Sequence, residues 1–233
     1  MGGLTDTSPK CLVNLGGRTL LEWQMNALRG AGIVRTAIVT GWQGEQLASR
    51  GAELFENPRW AETNMVMSLA CAAPWLQVDT CIVSYSDIFY PTAAVTALAL
   101  AADDIAITYD PNWFDLWSRR FSDPLADAET FQIDDAAHIT EIGRRATSIA
   151  EIKGQYMGLL KFTPAGWGAV ADMIATLGAP ERDRLDMTGL LQRLVAAGTA
   201  VRAVPVTVPW GEVDSAEDLA LYEADFRSGR LHA

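Results

Sequence analysis

Short runs of β-branched and apolar residues alternate along this chain with longer amphipathic ones, a pattern that predicts strands and helices arranged as an α/β sheet. Residues 19–29 place Leu20, Leu21, Trp23, Met25 and Leu28 on one broad helical face. Gly30 and Gly32 stop that helix before a strand at residues 37–40. A helical run over 63–76 leads into residues 80–85, an apolar, β-branched stretch of the kind buried on both faces of a sheet. A helix over 92–102 and a strand over 105–109 complete a Rossmann-like first half. From Trp113 to Glu141 the sequence turns polar and irregular. Asp134-Asp135 there separates two short β candidates, 131–133 and 139–142, as a hairpin turn does.

A strand over 155–162, helices over 164–177 and 187–197 and a strand over 201–208 return the chain to the sheet. Ser215 with Asp218 three residues on is a capping box, which starts the last helix just after Asp214. The tail from Arg227 is expected to fray. The expected architecture is one domain, residues 1–233: a Rossmann-like three-layer α/β sandwich with a mostly parallel central sheet. Residues 110–150 form a small β-rich insertion over a site, although an ordinary surface excursion fits the same text.

Composition narrows the function classes. With 49% hydrophobic and 20% charged residues the chain is globular. A net charge of −11 without a basic patch argues against nucleic acid as a partner. No run of 18 apolar residues and no charged-then-apolar leader is present, so neither membrane spanning nor secretion is indicated. Cys11, Cys71 and Cys81 are odd in number and lack CxxC spacing, which fits a reducing cytoplasm. His138 and His232 are the two histidines, so a metal site must be built from carboxylates and suits a hard ion such as Mg²⁺.

Three residues stand where chemistry is expected. Lys10 sits where a turn-prone segment enters an apolar one and is placed to neutralise phosphate, a solvated surface lysine being the default reading. Asp87 lies at the C-terminal end of the most buried-looking strand, where α/β sheets collect ligands, although turn and cap residues also favour that place. Asp214 stands at a strand-to-helix junction, where an acid also serves as a helix-start residue. If the two acids converge, they can hold Mg²⁺ and leave positions open for phosphate oxygens. Trp113 and Trp117, with Tyr156 and Glu62, are an aromatic and acidic set suited to an ammonium group; the two tryptophans, four apart, equally make one helix face against the core. Arg119, Arg120, Asp127 and Glu129 read as an exposed salt-bridged loop, with acceptor or second-metal binding as the alternative.

Several stretches carry a family likeness. The segment from Leu4 through Pro9-Lys10-Cys11-Leu12 to Gln24, with Gly17 and Leu20, resembles the pattern PKxLxxxxGxPL of nucleotidyltransferases, Thr19 replacing the second proline. The segments beginning Asn57-Pro58-Arg59-Trp60, Tyr85-Ser86-Asp87, Gly154-Gln155-Tyr156 and Trp210-Gly211-Glu212-Val213-Asp214 resemble motifs of the phosphocholine and phosphonate cytidylyltransferase branch. The resemblance implies a nucleotide-diphospho-sugar transferase-like fold and Mg²⁺-dependent transfer of CMP from CTP to a phosphocholine-like or 2-aminoethylphosphonate-like acceptor, releasing pyrophosphate. It further implies that Lys10 contacts phosphates or acceptor, that Asp87 and Asp214 bind the metal, and that Asn64 touches base or acceptor. A homodimer stays open.

The chain departs from the pattern at its start. Family members begin with an apolar strand and a loop of the type AAGxGxRL, and Met1-Gly2-Gly3-Leu4 joins after that point. The expectation is impaired catalysis and a slot in the sheet. Two other readings remain: a sugar-1-phosphate nucleotidyltransferase, and a non-catalytic module that keeps the fold.

Overall fold

The computed structural model describes residues 5–231. His232 and the Met1-Gly2-Gly3-Leu4 join lie outside the described residues. A 3₁₀ turn at Lys10–Leu12 leads into a ladder of β1 (Asn14–Leu15) against β2 (Arg18–Thr19), turned at Gly16 and Gly17 with φ of 59° and 80°. Thr19, the residue that departs from the family's proline, caps α1 (Leu20–Gly30): its hydroxyl accepts the Glu22 N–H while the Glu22 carboxylate accepts the Thr19 N–H. β3 (Ala37–Thr40) and β4 (Glu53–Glu56) then pair in parallel.

The helix expected over 63–76 is two helices, α2 (Met65–Ala70) and α3 (Ala73–Leu76). Pro74 accounts for the break, since it lacks an N–H and its ring crowds the carbonyl four residues back. β5 (Cys81–Ser84), β6 (Ile88–Phe89), α4 (Thr92–Ala99) and β7 (Ile105–Asp110) follow. The stretch read as irregular from Trp113 begins instead with α5 (Trp113–Arg120), which buries Trp113 and Trp117 on one face. β8 (Glu129–Ile133) and β9 (Ile139–Arg145) form the expected hairpin, with Asp134 accepting the His138 N–H. β10 (Gln155–Phe162), α6 (Pro164–Ala175), α7 (Ala179–Asp183) and α8 (Met187–Ala196) come next. β11 (Arg202–Pro205), β12 (Gly211–Glu212) and α9 (Ala216–Arg227) complete the order, α9 opening with the expected capping box of Ser215 and Asp218.

The central sheet has the order β11-β7-β10-β5. β11 runs parallel to β7, and β10 runs antiparallel to both β7 and β5. Three of its four strands therefore point one way, with β10 reversed between two of them. Strand alternation splits the core into layers. Ile105, Ile107, Leu160 and Phe162 face Trp167, Val170, Leu190 and Leu194 of α6 and α8. Ala106, Met157 and Leu159 face Ala27 of α1 and Val95 and Leu98 of α4.

A groove of about 640 Å³ separates β3 from β5. Ala37, Ile38 and Val39 wall it on one side and Cys81, Ile82 and Val83 on the other. Among the described residues β3 pairs only with β4, and β5 only with β10.

Candidate active site

Three chain segments far apart in sequence meet at the C-terminal end of β5. β12 pairs antiparallel with β6, setting Glu212 opposite Ile88, and the Val213 N–H donates to the Asp87 carbonyl at 2.9 Å. This pairing brings Asp87 beside Glu212 and Asp214. Each of the three carboxylates offers an oxygen within 4.8 Å of the others. Lys10, held by the 3₁₀ turn, completes the cluster: its Nζ lies 2.6 Å from Asp87 Oδ2 and 2.6 Å from Asp214 Oδ1.

Electrostatics follow from this crowding. Burial works to lower the Lys10 pKa, but the charges of Asp87 and Asp214 outweigh it and hold the ammonium protonated. Burial also works to raise Asp214, and the hydrogen bonds and charges of Lys10 and Arg120 overcome it and pull Asp214 down. Glu212 is pushed up to about 8 by burial first and then by its neighbours Asp214 and Asp87. Asp87 Oδ1 is buried and has no hydrogen-bond partner, an orphan that buried carboxylates rarely show without a ligand to meet it. Three hard oxygens, one without a partner, fit a small divalent cation.

Arg120 stands behind this cluster. Its side chain is 0% exposed, and it donates to Asp218 at 2.8 Å, Asp214 at 3.1 Å and Glu212 at 3.3 Å. The exposed-loop reading of Arg120 is therefore corrected, because α5 turns this guanidinium inward over Trp117 and Phe121. Arg119, on the same helix, is an ion-pair residue of α9, reaching Asp225 at 2.6 Å.

A cavity of about 290 Å³ opens from the cluster, sharing Glu212 and Asp214 and lined further by Tyr85, Trp117, Asp127, Glu129, Tyr156 and Asp186. Two of the four residues grouped as an acceptor box, Trp117 and Tyr156, reach it. The other two do not. Trp113, the first residue of α5, is buried with its indole N–H given to the Ile152 carbonyl. Glu62 is exposed, pairs with Arg59 and lies outside the cavity lining. Asn64 is occupied by structure: its side-chain oxygen accepts the Met65 N–H as the cap of α2, and its amide donates to the Arg184 carbonyl. Glu212 was missed by sequence reasoning, although it stands two residues before Asp214, at the end of β12. Asp186 was missed as well, and nothing but its role as cap of α8 marks it in the sequence.

A mixed sheet with one reversed strand, and carboxylates gathered at a strand end beside a lysine, define a nucleotide-handling α/β transferase. The model of the MobA-like NTP transferase domain family matches residues 1–143. The chain is 32% identical over 235 residues to the CTP:phosphoglutamine cytidylyltransferase of Campylobacter jejuni, covering 93% of this chain and 91% of that protein. It is 28% identical over 149 residues to the 2-aminoethylphosphonate cytidylyltransferase of Lancefieldella rimae, covering 62% and 56%. Its fold superposes on the inositol-1-phosphate CTP transferase of T. maritima with a TM-score of 0.75 at 19% identity, over 97% and 90% of the two chains. The chain belongs to the MobA-like NTP transferase domain family and is a nucleotidyltransferase.

Proposed function

We propose that this protein moves CMP from CTP to a small phosphate or phosphonate acceptor of the phosphocholine or 2-aminoethylphosphonate type, with release of pyrophosphate and dependence on Mg²⁺. The observation that carries the reading is the convergence of Asp87, Glu212 and Asp214 beside Lys10, with Asp87 Oδ1 left without a partner. Two cytidylyltransferases among its relatives support CTP as the donor.

Asp87 and Asp214 would hold Mg²⁺, which supplies charge neutralisation at the α-phosphate and the leaving pyrophosphate. Lys10 stays protonated and carries a second positive charge at the same place. Arg120 holds Asp214 Oδ2 and so leaves Oδ1 facing the cluster. An acceptor phosphate oxygen attacks the α-phosphorus, the new P–O bond forms and the bond to pyrophosphate breaks. That oxygen is already ionised near neutral pH, so the attack requires no general base. The three cysteines are free thiols, as suits a reducing compartment such as the cytoplasm.

The test is pyrophosphate release from CTP and Mg²⁺ with phosphocholine, 2-aminoethylphosphonate and a sugar 1-phosphate. Turnover of either of the first two above the sugar phosphate is expected, with a loss of about 10²–10³-fold in Asp87→Asn and Asp214→Asn. Preference for the sugar phosphate would overturn the acceptor assignment, and preference for another nucleotide the donor assignment.

A further inference from the structure

Lys10 stands on the two acids that the proposed function gives to the metal. Its Nζ lies 2.6 Å from Asp87 Oδ2 and 2.6 Å from Asp214 Oδ1, and among the described residues these are its two hydrogen bonds. Asp214 has no oxygen to spare. Lys10 takes Oδ1, and Oδ2 accepts from Arg120 at 3.1 Å. Mg²⁺ sits at about 2.0–2.1 Å from a carboxylate oxygen, so an ion ligated by Asp214 Oδ1 would stand within about 5 Å of a Lys10 ammonium left in place. Two cations crowded onto one oxygen repel, and partial burial strengthens the repulsion.

One of the two basic groups therefore has to yield, and their surroundings distinguish them. Arg120 is fixed: its side chain is fully buried, lies over the Trp117 and Phe121 rings, and serves Asp218 and Glu212 as well as Asp214. Lys10 is 24% exposed, ends a flexible four-carbon stem, and is held at its tip by the two acids alone. The acids themselves are tied through their backbones. The Val213 N–H donates to the Asp87 carbonyl at 2.9 Å, and the Asp214 N–H donates to Asp218 Oδ2 at 3.1 Å.

We infer that Lys10 and the divalent metal compete for Asp87 and Asp214, so that the ammonium holds the metal's oxygens until it is displaced and its charge is released to phosphate. The inference rests on the proposed transferase reading, which names the metal's ligands. It gives Lys10 two tasks in succession. Holding the two acids together against their mutual repulsion costs metal affinity, and contacting phosphate requires that the acids have been given up. Asp87 Oδ1, buried and without a partner, is the oxygen of this pair that no basic group contests.

Mn²⁺ is the probe, as a divalent ion of similar chemistry that can be located directly. Its dissociation constant for the whole chain, measured by titration calorimetry without nucleotide, is expected to fall by about ten- to a hundred-fold in folded Lys10→Met, although that variant loses turnover. Lys10→Arg, which keeps the charge, is expected to show no such gain. A purely structural lysine would act the other way, since its removal would spread the acids and weaken the ion. In crystals of the natural chain soaked with Mn²⁺, the anomalous signal is expected between Asp87 and Asp214 with Nζ withdrawn from both oxygens, a result that needs no variant to fold. Unchanged or weaker binding in folded Lys10→Met, an ion bound while Nζ stays on both oxygens, an ion on Asp87 and Glu212 alone, or no ion at the cluster overturns the inference. Pyrophosphate release from CTP by a chain whose Mn²⁺ affinity ignores Lys10 leaves the transferase reading standing and removes this one. Lys10-dependent Mn²⁺ binding with no release from any acceptor does the reverse.

Discussion

Arg120 carries more of the site than any residue outside it. A fully buried guanidinium serving three carboxylates is expensive to remove, because Asp218, itself only 6% exposed, would be left buried without its cation. Arg120→Met is therefore expected to lower unfolding stability by about 3–5 kcal/mol, read from urea denaturation. Arg120→Lys is expected to recover only part of it, since an ammonium lacks the planar fork that reaches Asp218, Asp214 and Glu212 at once. The sequence made Lys10, Asp87 and Asp214 visible because each stands at a junction of elements inside a family motif. It did not expose Arg120, whose burial depends on how α5 packs. Trp113 and Glu62 misled for the complementary reason: an aromatic and an acid announce binding in any sequence, while the helix face that hides one and the surface that exposes the other are decided by packing.

Ends and ties of elements set the position of the catalytic acids. Ser215 caps α9 through the Asp218 N–H, and Asp218 in turn accepts from the Asp214 and Ser215 N–H groups and from Arg120. Ser215→Ala removes one side of that capping box and is expected to cost about 1 kcal/mol, which for a chain of this size lowers Tm by about 2–4 °C in a thermal melt. A second tie joins β11 to the β8–β9 hairpin: Asp103 accepts from Arg202 at 2.7 Å and lies 2.9 Å from the His138 ring. The Arg202 hydrogen bond, against some opposing burial and with help from His138, holds the Asp103 pKa at about 2, below its ordinary 3.8. The unfolded chain thus takes up the proton first as pH falls. The stabilisation is complete above about pH 4 and is lost between about 4 and 2, and its partial exposure reduces it to about 1 kcal/mol. Asp103→Asn should flatten the acid limb of stability over that window, measured by urea titration at a series of pH values. The capping box was legible in the spacing of Ser215 and Asp218, whereas the run over 63–76 reads as one helix and the structure breaks it ahead of Pro74. The Asp103 tie was not, since its partners lie 35 and 99 residues away.

The whole molecule is divided by the groove between β3 and β5, and this division governs where it should open. β7 is buried along its length and β10 along nearly all of it, packed on both faces, whereas β4 is mostly exposed and β3, half-buried, turns an edge toward an apolar cleft. Opening free energies follow buried contacts and protected hydrogen bonds, so amide hydrogen exchange is expected to be slowest in β7 and β10 and faster by orders of magnitude in β3 and β4. Cys81, Ile82 and Val83 present the opposite wall, and the two edges are placed to accept one further strand between them. Exchange in β3 already as slow as in β10 would mean that the cleft is closed in solution and that β3 is held as firmly as the centre of the sheet.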